Sequence, residues 1–166
     1  PASRVPLGGG LPHGGFRPGP RSFQWAASRP ATLFWAEALG GGDPKAEAAH
    51  RDRWVAISAP FAREADGTLA AEEVVRVEHR ARGLMFLEDP GRLITSEYDR
   101  DRRWTRTLLH QLGGEGEPLV LEDRSSQDRY ADPGTLAMVA GPYGRMVGRE
   151  FQGDAFRTGR GSSPKG

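Results

Sequence analysis

Arg21-Ser22-Phe23-Gln24-Trp25, followed after a proline-containing break by Leu33-Phe34-Trp35-Ala36-Glu37, decides the fold. A looser copy stands further along the chain. Arg82-Gly83-Leu84-Met85-Phe86 is followed, after Glu88-Asp89-Pro90-Gly91, by Leu93-Ile94-Thr95-Ser96-Glu97, and Arg82 lies 61 residues after Arg21. In each copy a β-rich run, a tight break and a second β-rich run ending in glutamate precede two further short runs. Side chains of a strand alternate between its faces, and Leu33 with Trp35 against Phe34 with Ala36 follows that period. Repetition of a short antiparallel sheet at a fixed interval is the pattern of a β-propeller blade.

Working outward, strands are expected near 22–26, 32–38, 52–58 and 72–78, then near 83–88, 92–98, 104–110 and 118–122. A weaker third set falls near 136–140, 144–149 and 154–158. Trp54-Val55-Ala56-Ile57 and Val74-Val75-Arg76-Val77 are rich in residues that suit a pleated surface. Asp66-Gly67, Asp89-Pro90-Gly91, the glycines around Glu115, Gly141-Pro142 and Gln152-Gly153-Asp154 supply turns. Two segments carry helix formers, Pro44–Arg51 and Leu69–Glu73, but both are short and fit a helical turn or a loop. No long 3.6-residue periodicity supports an all-helical fold. The expectation is an all-β chain: a Gly/Pro-rich arm over 1–20, then a partial β-propeller over 21–166 with about three blades at 21–80, 81–131 and 132–166.

Composition agrees with many turns and short strands. The 166 residues include 23 glycines and 13 prolines, with hydrophobic residues at 37%. That length is about one domain. The 23 basic and 22 acidic residues interleave to a net charge of +1, so no basic block points to nucleic acid or an anionic membrane. There is no cysteine, which excludes a disulfide framework and a thiolate-bound zinc and tilts the expected compartment toward a reducing cytosol without settling it. No apolar run is long enough to span a bilayer. The start, Pro1-Ala2-Ser3-Arg4-Val5-Pro6, has neither an initiator Met nor an apolar signal core, and suggests a piece of a longer polypeptide.

A Gly-x-Ser-x-Gly nucleophile turn is missing; Gly159-Arg160-Gly161-Ser162-Ser163-Pro164 has the wrong spacing. The histidines, His13, His50, His79 and His110, stand singly, with no metal-binding spacing. Glu72-Glu73 and Asp99 with Asp101 are carboxylate pairs that read as solvated strand ends. Gly8-Gly9-Gly10 and Gly40-Gly41-Gly42-Asp43 lack the Lys-Ser/Thr of a phosphate loop. The expectation is therefore no catalytic, metal or cofactor-binding residue in this chain. The most particular string is Asp123–Gly134, Asp-Arg-Ser-Ser-Gln-Asp-Arg-Tyr-Ala-Asp-Pro-Gly. It is dense in side chains that bond nearby backbone, and reads as a structured connection or a loop touching a substrate or a neighbouring domain.

These strings resemble the N-terminal propeller of the prolyl oligopeptidase family, and within it the glutamyl endopeptidase branch. The resembling segments are Arg21–Trp25, Arg29–Ala38, Gly41–Glu47, Arg102–Thr107, Asp123–Gly134 and Gly159–Gly166, in the family's order. The resemblance implies a serine peptidase whose Ser-Asp-His triad lies in a C-terminal α/β-hydrolase domain absent from this chain. It implies a propeller that restricts peptide access to that site, so peptide substrates act through the parent enzyme and this chain alone is inactive. Gly83-Leu84-Met85-Phe86 departs from the family's aromatic-Gly-Gly-Ile-x-Trp run, and the segment after Thr107 is short. No catalytic residue carries over. Two other readings stand beside this one: a non-catalytic propeller-like module that binds a protein or peptide, and a self-contained β-sandwich of about eleven strands.

Overall fold

The computed structural model describes residues 15, 19–43, 45–114 and 116–159. Among them the chain is all-β, with antiparallel strands and no α-helix. It divides into two compact units. One holds the residues up to Trp25 with Thr32–Ala81, the other Ala26–Ala31 with the residues from Arg82 on. Most of the arm expected over 1–20 lies outside the described residues.

The first unit is a four-stranded meander, β1 (Pro20–Trp25), β2 (Thr32–Ala38), β3 (Asp52–Ser58) and β4 (Glu72–Val77), in that order. In β2 and β3, Phe34 opposes Ala56 and Ala36 opposes Trp54, all at most 1% exposed. Burying side chains of this size contributes about 1.5–3 kcal/mol each. The opposite face carries Trp35, Val55 and Ile57, against which Leu33, Leu69 and Ala71 pack. The excursion between β3 and β4 thus covers its own sheet. A bulge between Arg21 and Gln24, with Ser22 at φ 55°, sets Phe23 against Trp35, ring centroids 6.0 Å apart.

Between β2 and β3 the helix formers of Pro44–Arg51 make no helix among the described residues. The Arg51 guanidinium donates to the carbonyls of Asp43 and Ala46, and Asp43 Oδ1 accepts the Lys45 amide. These local bonds hold backbone groups that a helix would need. The glycine run read as a turn, Gly40–Gly42, forms a short 3-10 turn before them.

The second unit contains a four-stranded meander of β5 (Arg80–Phe86, its first two residues counted in the first unit), β6 (Arg92–Asp99), β7 (Trp104–Gln111) and β8 (Leu119–Ser125). The centre of this sheet is buried on both faces. Ile94 and Leu109 oppose each other on one face, at 0% and 9% exposure. On the other face Leu93, Thr95, Glu97 and Leu108 are buried. Short strands follow: β9 (Thr135–Leu136), β10 (Met138–Ala140), β11 (Met146–Gly148), β12 (Glu150–Phe151), β13 (Asp154–Ala155) and β14 (Arg157–Thr158). They pair as three two-stranded ladders, β10–β11, β12–β13 and β14–β9.

Contacts inside the second unit recur at the offset of the sequence repeat. Arg29 Nε donates to the Pro90 carbonyl at 2.8 Å, 61 residues away. The Asp89 amide donates to Glu150 Oε2 at 2.7 Å and Arg92 Nη1 to the Gly153 carbonyl at 3.0 Å, each again 61 residues away. Leu87 forms a parallel bridge with Gly148, at the same spacing. Equivalent turns of successive repeats therefore touch one another. Side chains of Leu87, Ile94, Leu109 and Leu136 close the core between them.

Candidate interaction site

The string singled out in the sequence, Asp123–Gly134, begins in β8 and continues as an exposed loop. Its internal frame is one side chain. Arg124, opposite Thr105 on β7, points its guanidinium back through the loop. Nε donates to Glu122 Oε1 at 2.7 Å, and Nη1 donates to the carbonyls of Ser125 and Asp128 at 3.1 and 2.7 Å. Nη2 lies 3.4 Å from Asp132 Oδ2. A planar fork of donors can satisfy several acceptors at fixed angles, which an ammonium cannot. Glu122 Oε2 in turn accepts Thr107 Oγ1 and Arg157 Nη1.

Backbone caps complete the loop. Asp128 Oδ1 accepts the amides of Tyr130 and Ala131, and Asp132 Oδ1 accepts that of Gly134. Ser126 donates both its amide and its hydroxyl to the Arg103 carbonyl at 2.8 Å, joining the loop to the β6–β7 turn. Trp104 Nε1 donates to Asp123 Oδ1. Ser126 Oγ is thus occupied as a donor, and Ser125 Oγ accepts the Gln127 amide. Neither hydroxyl has a general base in hydrogen-bond reach among the described residues. The arrangement holds a loop in shape; it does not activate a nucleophile.

The other candidate residues are not brought together. His13 lies outside the described residues, as do Gly8–Gly10 and the seryl pair Ser162-Ser163. His50 is exposed, and His79 Nε2 lies 4.0 Å from Glu78 Oε1. His110 is buried in β7, where Nε2 and Thr95 Oγ1 are 2.8 Å apart, and burial lowers its pKa from the ordinary 6.5. Glu73 pairs with Arg76 and Arg53, and these bonds hold its carboxyl below the ordinary value, Arg76 contributing most. Asp99 Oδ1 accepts the amides of Asp101 and Arg102. Gly40–Gly42 is a turn. No group of three or more His, Asp or Glu able to hold a metal is found among the described residues.

A shallow groove of about 360 Å³ is lined by Asp89, Arg92, Leu109, Gln111, Glu117 and Leu119. Three of its four polar side chains are already engaged. Arg92 pairs with Glu150 at 2.5 Å, Asp89 Oδ1 caps Gly91, and Gln111 Nε2 donates to the Gly91 carbonyl.

Sequence reasoning missed a buried and heavily bonded charge. Asp52 is 0% exposed and accepts from Arg21 Nη2, from Arg80 Nη1 at 2.9 Å and from the Ala81 amide at 2.6 Å, all within the first unit. The only local signal is an aspartate opening the apolar run Trp54–Ile57, in register with Ala38 and Val77.

With this geometry in place, the chain's likenesses take on meaning. It is similar to proteins named glutamyl endopeptidase. A protein of Arabidopsis thaliana named "Probable glutamyl endopeptidase, chloroplastic" is 31% identical over 157 residues, which cover 90% of this chain. One of the same name from Oryza sativa subsp. japonica is 27% identical over 155 residues, again 90% of the chain. In each case the match spans 16% of the relative's length. No family model matches the chain, and no solved structure matches it. The match is thus to one portion of a peptidase-named protein.

Proposed function

We propose that this chain is a non-catalytic β-propeller portion of a serine-type peptidase of the prolyl oligopeptidase family, resembling the glutamyl endopeptidases, and that the propeller limits which peptides reach a hydrolase domain elsewhere in the protein. The observation that carries the reading is the similarity to peptidase-named relatives over 90% of this chain. Two structural features support the architecture. One is the burial of both faces of the β6–β7 centre, which suits a sheet stacked between neighbours. The other is the set of turn-to-turn contacts 61 residues apart, which suits units related by a repeated operation. On this reading the blades are 21–80, 81–131 and 132–166, with residues 1–20 as an arm. Peptides act as substrates through the whole enzyme, in which an activated serine attacks the carbonyl and an oxyanion hole stabilises the intermediate.

The test has two arms. The isolated chain is incubated with chromogenic peptides carrying glutamate before the scissile bond, and no turnover is expected. The gene is then read downstream of Gly166, where a Gly-x-Ser-x-Gly turn followed by Asp and His is expected. Triad-type turnover by the isolated chain, or downstream sequence without a hydrolase signature, would refute the proposal.

A further inference from the structure

One edge of the second unit is open and flanked by charge of one sign. β8 is last in its sheet, and among the described residues Leu119–Arg124 make no backbone hydrogen bond outside that sheet. A strand with a free side presents unpaired amides and carbonyls to any extended segment. Its first two residues are apolar and exposed, Leu119 at 61% and Val120 at 47%. Successive side chains of a strand point to opposite faces, so these two flank the edge on either side. A bulge at Leu121 ends the straight run, so the ladder on offer is short and side chains must select what joins it.

On the Leu119 face lies the shallow groove, lined also by Asp89, Arg92, Leu109, Gln111 and Glu117. Leu109 opposes Leu119 across the β7–β8 ladder and supplies an apolar patch. Arg92 is offset by Glu150 at 2.5 Å, which leaves the charges of Asp89 and Glu117 uncompensated. Glu117 is exposed and has no hydrogen bond or ion pair among the described residues. Asp89 Oδ1 accepts only the Gly91 amide, a neutral donor. From Thr107 to Leu121 the chain carries two acidic residues, Glu115 and Glu117, and no lysine or arginine. The groove is already shaped, because the Leu112 amide and Gln111 Nε2 both donate to the Gly91 carbonyl, at 2.7 and 3.3 Å. Ordering costs on binding are therefore small.

We propose that the β8 edge and this groove together dock an extended basic peptide segment. Its backbone continues the sheet beyond β8. A lysine or arginine on the Leu119 face lays its methylene stem along Leu119 and brings its charge to Glu117 and Asp89, while an apolar side chain on the other face packs on Val120. Main-chain pairing gives such a complex affinity, and alternate side chains give it specificity. A nucleic acid, an acidic peptide and an anionic membrane are all repelled by the same two carboxylates. The inference concerns a surface of this chain and does not depend on the peptidase reading.

Fluorescence anisotropy tests it on the full 166-residue chain. The probes are a labelled peptide alternating lysine and valine, a twin with glutamate in place of lysine, and a copy of the lysine peptide N-methylated at its internal amides. The lysine peptide is expected to bind, less tightly as salt rises, and the glutamate twin is not. N-methylation removes the ladder donors and should cost roughly tenfold. Glu117→Gln and Leu119→Ser should each weaken binding roughly two- to threefold, and the double variant about five- to tenfold. Glu72→Gln removes an exposed acid on β4, the edge of the other four-stranded sheet, and should leave affinity unchanged. Equal binding of the lysine and glutamate peptides, undiminished binding of the methylated copy, equal losses in Glu72→Gln and the groove variants, or no binding of any probe would each overturn the proposal. So would sedimentation of the chain alone as a dimer that Leu119→Ser abolishes, since the edge would then belong to a second copy. Unchanged thermal melting of the variants separates lost docking from lost fold.

Discussion

Replacing Asp52 by asparagine should destabilise the first unit far more than a surface charge change does. The carboxylate is fully buried, and it joins three donors from two other segments of the chain. Asparagine keeps the volume but removes the charge and one acceptor oxygen. Arg21 and Arg80 then stay in place with 20% and 14% of their side chains exposed, too little to hydrate fully. Breaking a buried ion pair from one side typically costs about 3–5 kcal/mol. Because both guanidiniums keep some access to water, the lower end, about 3 kcal/mol, is the expected loss. With a urea m-value of about 2 kcal/mol/M, the unfolding midpoint should fall by about 1.5 M. Tryptophan fluorescence is the assay, since Trp54, two residues along the same strand, is 1% exposed. Glu73→Gln is the comparison. Its ion pairs with Arg53 and Arg76 are largely exposed, so a shift below about 0.5 M is expected. Adding Arg80→Met to Asp52→Asn should recover part of the loss, because an apolar side chain removes a buried charge that the Asp52 carboxylate no longer offsets. An Asp52→Asn midpoint shift no larger than that of Glu73→Gln would refute the reasoning.

Two further outcomes follow from packing and protonation. The pKa of His110 is lowered by burial, so the unfolded chain binds the proton more tightly than the folded one. Stability is therefore undiminished above the ordinary value of 6.5, falls as pH drops below it, and levels off below the folded value. Thermal melts between about pH 7.5 and 5.5 should show this slope, and His110→Gln should flatten it; identical slopes in the two proteins would contradict the assignment. A Cβ on Gly148 would stand 2.5 Å from Leu136 Cδ2 and 2.6 Å from Leu87 Cδ2. Gly148→Ala should cost about 1–3 kcal/mol by overpacking, whereas Gly83→Ala, whose nearest neighbour would be 3.9 Å away, should be nearly neutral in the same melts.

Much of the strand layout was legible in the sequence. The expected strands at 32–38 and 52–58 match β2 and β3, and those near 72–78, 92–98 and 104–110 match β4, β6 and β7 to within a residue. Alternation and β-branched content are local signals, and turns such as Asp66-Gly67 carry their own backbone chemistry. The last third was less legible. The runs expected near 136–140, 144–149 and 154–158 break into pairs of two or three residues, because glycines and short turns leave each ladder little room. The segment Pro44–Arg51, read as a helical turn or a loop despite its helix formers, has no helix among its described residues, and Arg51 takes the local carbonyls.

Taken alone, the order of residues determined the all-β class, the 61-residue spacing of its repeat and the peculiarity of Asp123–Gly134. Only the folded chain decided that Asp52 is the buried meeting point of Arg21 and Arg80, and that Arg124 faces into its loop rather than outward. The reason is physical. Periodicity and turn chemistry act over a few residues and are written in neighbouring letters. The partner of a charge is set by strand register and by which turns come to lie side by side, and those depend on contacts tens of residues apart.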